Sequence, residues 1–159
     1  DLVVSNGNRM LALPYTVEMN DVTISAVQNH RSNEIYKGVY LDKSTGIFNG
    51  KIMVRKDSQK IEAFQANNNL VLSDNATINT KPQLEIYADD VKCSHGCTIG
   101  QLDENALFYM RTRGVDVKEA KAILTYAFAA DAINKITVKE VKALAKKLLA
   151  KKLNVDLDL

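Results

Sequence analysis

Val91-Lys92-Cys93-Ser94-His95-Gly96-Cys97-Thr98-Ile99-Gly100 lies where the chain changes from strand-like to helix-like sequence. It holds both cysteines and one of the two histidines. Just upstream, Gln83-Leu84-Glu85-Ile86-Tyr87-Ala88 alternates cleanly, with Leu84, Ile86 and Ala88 on even positions. Beyond Asp89-Asp90 the apolar residues move to odd positions, namely Val91, Cys93, Cys97 and Ile99. Side chains alternate across a strand with a period of two, so this change of parity predicts a corner or bulge at the Asp-Asp pair.

Residues 1–100 read as short strands separated by polar turns. Lys51–Arg55, Lys60–Phe64 and the brief Leu70-Val71-Leu72 are strand-like, and turn chemistry recurs at Asn6-Gly7-Asn8, Ser44-Thr45-Gly46, Asn67-Asn68-Asn69 and Ser73-Asp74-Asn75. Many strands with Asn-rich corners fit a sandwich, a barrel or a β-solenoid. No strict repeat period singles out the solenoid.

From Gln101 onward the period becomes helical. Asp103 is a candidate N-cap, with Ala106, Leu107 and Met110 on one side and Gly114 as a stop. Asp116-Val117-Lys118-Glu119 has capping-box spacing and opens a helix with Ala120, Ile123, Leu124, Ala127 and Phe128 on one stripe. Thr137-Val138-Lys139-Glu140 has the full capping-box form, with Ile136 and Val141 at staple spacing. Val141, Leu144, Ala145, Leu148 and Leu149 are expected on the core face of that third helix. The expectation is a β domain over residues 1–101 and a three-helix domain over 102–159.

The totals narrow the function. At 159 residues and 46% hydrophobic content the chain suits one compact domain, or a domain with a helical appendage. Twenty-one basic against 19 acidic residues leave no concentrated basic charge for nucleic acid. No run of about 18 apolar residues exists to span a membrane. Cys93 and Cys97 on one strand would lie roughly 13 Å apart, beyond the ~7 Å reach of a disulfide. Free thiols and a cytoplasmic setting are expected. The chain begins at Asp1 directly in strand-like sequence, which reads as a fragment of a longer chain or a processed product.

On an extended strand Cys93, His95 and Cys97 share a face, forming a row of thiol, imidazole and thiol. These are ligand types that zinc and iron–sulfur iron prefer. Successive members stand roughly 6.6 Å apart at the backbone, whereas ligand atoms on one ion approach to about 4 Å. Placing all three on one ion would need a bend, for which Gly96 is the candidate. The only other His or Cys is His30, expected in a polar surface loop. The row therefore binds nothing and packs as small apolar side chains, or it is half of a site completed by another chain. Gly46-Ile47-Phe48-Asn49-Gly50-Lys51 lacks the spacer and the following Ser/Thr of a phosphate loop, so ATPase activity would have to come from a partner.

Lys81-Pro82-Gln83-Leu84-Glu85-Ile86-Tyr87-Ala88-Asp89-Asp90-Val91-Lys92-Cys93-Ser94-His95-Gly96 closely resembles the signature of the SufB/SufD family of iron–sulfur cluster assembly proteins, in its SufD branch. The resemblance continues through Ile99–Glu104, Leu107-Phe108-Tyr109 and Arg111-x-Arg113-Gly114. Upstream it takes in Gln65–Leu70 and Leu72-Ser73, and it covers roughly residues 45–136. It implies a right-handed parallel β-helix, here truncated, followed by a C-terminal helical domain. It also implies a non-catalytic scaffold that pairs with SufB and docks the SufC ATPase through its C-terminal helices. Phe108, Tyr109, Arg111 and Arg113 become the candidate partner-binding residues. His95 matches the family's functional histidine at the SufB junction and Cys93 its neighbouring cysteine, around a transient iron–sulfur cluster shared with the partner. Cys97 stands where the family usually has a small residue, so it inherits no role. An exposed rung of a truncated β-helix also invites a homodimer through its strand edges. Rival readings are a zinc-stabilised interaction module, or a β-solenoid carbohydrate-active enzyme, which would need carboxylates flanking a groove.

Overall fold

A computed structural model describes residues 16–26 and 28–154. The Asn6-Gly7-Asn8 turn lies outside the described residues. Among the described residues six strands precede three helices: β1 Thr16–Ser25, β2 Arg31–Tyr40, β3 Thr45–Val54, β4 Ile61–Val71, β5 Thr77–Ile86, β6 Val91–Gly100, then α1 Glu104–Thr112, α2 Val117–Asn134 and α3 Lys139–Leu153. The chain is mainly parallel β with a helical C-terminal part.

Successive strands do not pair. Odd strands form one parallel sheet, β1-β3-β5, and even strands a second, β2-β4-β6. Each strand thus meets the strand two elements on: Thr16 opposes Thr45, Thr45 opposes Thr77, Arg31 opposes Glu62 and Ile61 opposes Val91, steps of 29, 32, 31 and 30 residues. The sheets share a core. Ile52 and Val54 of β3 pack with Ile61 and Ala63 of β4 and with Ala88, while Met19, Tyr36 and Phe48 of β1, β2 and β3 form a second cluster.

Strict alternation accounts for this. Phe48, Ile52 and Val54 point inward from β3, with Gly46 and Gly50 on the same face, and Ile61, Ala63, Gln65, Asn67 and Asn69 point inward from β4. Asn67-Asn68-Asn69 is therefore no turn, and Leu70-Val71 is no separate strand; both belong to β4. The asparagines sit in the interior because their amides find partners there. Asn69 Nδ2 donates to Asn67 Oδ1 at 2.6 Å and to the Thr98 carbonyl at 3.3 Å. Most buried polar groups are partnered in this way, although Asn69 Oδ1 has no partner.

The corners stack as well. Asn29, Asp42 and Lys60 take left-handed backbone conformations between strands. Hydrogen bonds carry the ladder around the bends: Asn29 N to Gln59 O at 3.0 Å, Tyr87 N to Val54 O at 3.0 Å, and Leu72 N to Tyr40 O at 2.9 Å. The Asp89-Asp90 corner is where β5 gives way to β6, and the Gln59 side chain accepts from Asp90 N at 2.9 Å.

Local capping explains two helix starts. Asp103 Oδ1 accepts from Asn105 N at 2.8 Å, and Asp116 Oδ1 from Lys118 N at 2.8 Å. Gly114, at φ 87°, follows the end of α1. The Thr137 capping box does not form; Val138 occupies the N-cap of α3 and makes no side-chain cap bond. The stripe expected on α3 is also corrected. Ala145 and Leu149 pack on Ala129, Ile133 and Ile136, but Val141, Leu144 and Leu148 face outward. On α2 the buried residues are Ala120, Thr125, Ala129, Ala130, Ala132 and Ile133, a stripe rotated from the expected one. Small Ala side chains let α2 lie close to its neighbours, so packing rather than hydrophobic size chooses its face.

One clamp ties α2 to the outer face of β2. Buried Lys37 donates from Nζ to the Phe128 carbonyl at 3.1 Å, pairs with Asp131 at 2.8 Å and sits 4.5 Å from the Phe128 ring centre. No helix among the described residues is long and apolar enough to cross a membrane.

Candidate functional site

β6 is the last strand of its sheet. One edge pairs with β4 in register, setting Cys93 on Ala63, His95 on Gln65 and Cys97 on Asn67; among the described residues its other edge is unpaired. Parallel neighbours stand ~4.8 Å apart, so these side chains stack directly. The parity predicted from sequence holds. Val91 and Cys93 pack against the shared core, and Cys97 reaches interior Asn67, which puts His95 between them on the same inward face. Among the described residues no strand pairs beyond β6, and that inward face opens to solvent from His95 onward.

The three side chains differ in setting. Cys93 is half-buried against the core, and burial pushes its thiol above the ordinary range, opposed by a backbone hydrogen bond at Ala63. Cys97 is exposed, with Sγ 2.8 Å from Thr80 Oγ1 of β5 and 3.8 Å from Asn67 Oδ1. His95 is exposed. Gly96 does not bend the strand: β6 runs unbroken from Val91 to Gly100, and a side chain at Gly96 would meet open space. The row therefore keeps its strand spacing. Among the described residues no three His, Cys, Asp or Glu side chains converge as a metal site. The donors suit iron or zinc in kind, but this chain alone does not gather them. His30 lies exposed at a corner, where its carbonyl accepts from Glu62 N at 3.0 Å.

Sequence reasoning missed the polar interior beneath the row. Glu34 of β2 opposes Gln65, which opposes His95, so carboxylate, amide and imidazole form one column across the even sheet. Gln65 Nε2 donates to Glu34 Oε2 at 2.9 Å, and the other carboxylate oxygen accepts from Ser32 at 3.0 Å and from Thr23. The available signal was the period-two polar run Gln65, Asn67, Asn69, which a turn assignment obscured.

Of the candidate partner-binding residues, Phe108, Tyr109 and Arg111 lie on α1, the first helix after β6, and Arg113 is its C-cap. None of its residues is buried; Phe108 and Tyr109 are 66% and 59% exposed, and the Arg113 guanidinium lies 5.2 Å from the Tyr109 ring centre. Arg111 is exposed on the same helix. A single exposed aromatic residue is unremarkable, but two adjacent ones flanked by arginines have the composition of an interface core.

Comparison with known proteins agrees with this picture. Residues 6–128 match the family model described as SUF system FeS cluster assembly, SufBD core domain. The chain is 42% identical over 124 residues to the iron–sulfur cluster assembly protein SufD of Escherichia coli, covering 76% of this chain and 29% of that protein. It is 40% identical over 122 residues to a SufBD family iron–sulfur cluster assembly protein of Synechocystis, covering 75% and 27%. Against SufD of Bacillus subtilis the identity is 33% over 105 residues, covering 66% and 24%. The chain thus matches between about a quarter and a third of the length of these relatives. It belongs to the SufBD core family of SUF-system iron–sulfur cluster assembly proteins.

Proposed function

We propose that the chain is a non-catalytic scaffold element of iron–sulfur cluster assembly, contributing His95, with Cys93 second, to a site completed by SufB. The observation that carries this is a row of soft ligands on a terminal strand, too widely spaced to close a site within one chain. His95 offers an imidazole nitrogen at the open face, and Cys93 offers a thiolate once an incoming metal displaces its proton. The cluster is cargo in this scheme, held transiently between two chains. Cys97, already engaged with Thr80, is the weaker candidate.

In this reading the alternating sheets are the C-terminal rungs of a right-handed parallel β-helix. The steps of 29 to 32 residues between stacked strands and the hydrogen-bonded corners support it. The β part spans residues 1–101 and the helical part 102–159. The unpaired β6 edge accepts a strand from SufB, or from a second copy in its absence. The α1 patch of Phe108, Tyr109, Arg111 and Arg113 docks the SufC ATPase, which supplies the nucleotide chemistry, and the setting is the cytoplasm. Co-expression with SufB and SufC tests the assignment: all three co-purify, and Phe108→Ala with Tyr109→Ala releases SufC while SufB stays. Retention of SufC by that double variant would remove α1 from the interface.

A further inference from the structure

Gln65 is 2% exposed and half of its amide is accounted for. Glu34 carries a carboxylate that only accepts hydrogen bonds, so the NH2 end of Gln65 must face it, as it does at 2.9 Å. This fixes the amide orientation and leaves Oε1 as a buried acceptor without a partner. Leaving such an acceptor unpaired is costly, so a donor at its level is expected.

The strand positions around Gln65 are Glu34 on β2, Gly50 across the core on β3, Asp21 on β1 and Pro82 on β5, both opposite Gly50, and His95 on β6. Glu34 is an acceptor, and so is the Asp21 carboxylate, whose Oδ2 is likewise buried without a partner. Gly50 has no side chain, and the space it leaves is where Gln65 Oε1 lies. Pro82 has neither an N–H nor a polar side chain. His95 alone carries a side-chain donor, and it stacks on Gln65 at parallel-strand spacing. We infer that one ring N–H of His95 donates to Gln65 Oε1, making Gln65 the positioning residue that sets the tautomer and direction of His95.

The consequence concerns the other ring nitrogen. In a neutral imidazole one nitrogen carries the proton and the second keeps its lone pair. A hydrogen bond at one therefore reserves the other as a ligand, as outer-shell partners do for metal-bound histidines. Glu34 anchors Gln65 and Gln65 anchors His95, so the lone pair turns toward the open end of the sheets. This deepens the reading of His95 as a cluster ligand and rests on it.

The test uses the metal-free chain labelled with 15N at its two histidines and observes tautomers by NMR, about two pH units above the ordinary imidazole value of ~6.5. Exposed His30 serves as the internal reference. His95 should show one tautomer enriched roughly threefold to tenfold over the His30 ratio, the range a net hydrogen bond of this kind supports. Gln65→Met should return His95 to the His30 ratio. The paired exchange of Glu34→Gln with Gln65→Glu, which keeps an acceptor facing the imidazole, should restore the enrichment. A wild-type His95 ratio equal to that of His30, or one unchanged by Gln65→Met, would overturn the inference; the wild-type comparison stands even if Gln65→Met does not fold. The readout needs no cluster. Loss of the ligand role, seen as His95→Ala leaving cluster yield unchanged, is therefore distinguishable from loss of the Gln65 contact.

Discussion

Gly50→Ala places a methyl where the core has no room. An ideal Cβ at this position overlaps Gln65 Oε1 and comes within 2.7 Å of Phe48 Cζ and 2.8 Å of Gln65 Cδ. Neither neighbour retreats freely. Gln65 is anchored to Glu34 at 2.9 Å, and Phe48 is fully buried with its ring 4.9 Å from that of Tyr36. The core relieves the clash by strain, at about 1–3 kcal/mol, or by giving up the amide–carboxylate bond, at about 1.5–3 kcal/mol, and the cheaper route sets the cost. Against it stands about 0.5–1 kcal/mol gained when Ala replaces Gly in a strand. The net expectation runs from near zero to a loss of about 2.5 kcal/mol. Gln65→Ala removes both amide clashes and leaves only Phe48, so Gly50→Ala should cost at least ~1 kcal/mol less in that background. Urea unfolding followed by circular dichroism measures both arms of the cycle through the midpoint at constant slope. If Gly50→Ala stabilises the wild-type chain, or costs the same with and without Gln65, Gln65 does not reach across to β3 and the interior column is wrongly drawn.

Three further outcomes follow from particular contacts. Lys37→Met should cost about 1–2 kcal/mol by removing a charge-assisted bond to the Phe128 carbonyl and a ring contact. The hydrogen bond and the charge of Lys37 lower the Asp131 carboxyl, so that pair's contribution is present at neutral pH and fades as pH falls through the lowered value. In Lys37→Met the fading should shrink to the small part that Lys135 supplies, which urea midpoints between neutral and acid pH would show. Tyr40 is pushed up to about 12, chiefly by burial and secondarily by Cys97. Stability should hold below pH ~10 and fall as pH rises toward the folded value. Tyr40→Phe should remove the last step of an absorbance titration; an unchanged titration would contradict the burial. Alkylation read by mass spectrometry should modify exposed Cys97 faster than half-buried Cys93, whose thiolate burial disfavours. Faster labelling of Cys93 would overturn the assigned environments.

Local signals were legible in the sequence and long-range ones were not. Asp103 and Asp116 cap their helices as predicted because a cap involves side chain and backbone within three residues. The Asp89-Asp90 corner and the shared face of Cys93 and Cys97 follow from two-residue alternation and were equally readable. The repeat escaped detection because the stacking steps drift from 29 to 32 residues as corners gain or lose residues, smearing any fixed period. Asn67-Asn68-Asn69 misled because asparagine favours turns when its amide bonds locally, whereas here two of the three amides point inward. On α3, apolar residues outnumber what α2 can cover, so Val141, Leu144 and Leu148 stay outside. The open end of the even sheet, which gives His95 its exposure, depends on which strand comes last and is invisible to any local pattern.

In the proposed reading His95 is one chain's contribution to a shared iron–sulfur site. The most direct test is cluster formation on the complex reconstituted with SufB and SufC, comparing the wild-type chain with His95→Ala by visible absorbance and by iron and sulfide content. His95 is exposed and its removal opens no core cavity, so the variant should fold and assemble normally. The account predicts an intact complex whose cluster yield falls at least severalfold. Unchanged yield on an equally intact complex, or stoichiometric zinc held tightly by the isolated chain, would contradict it.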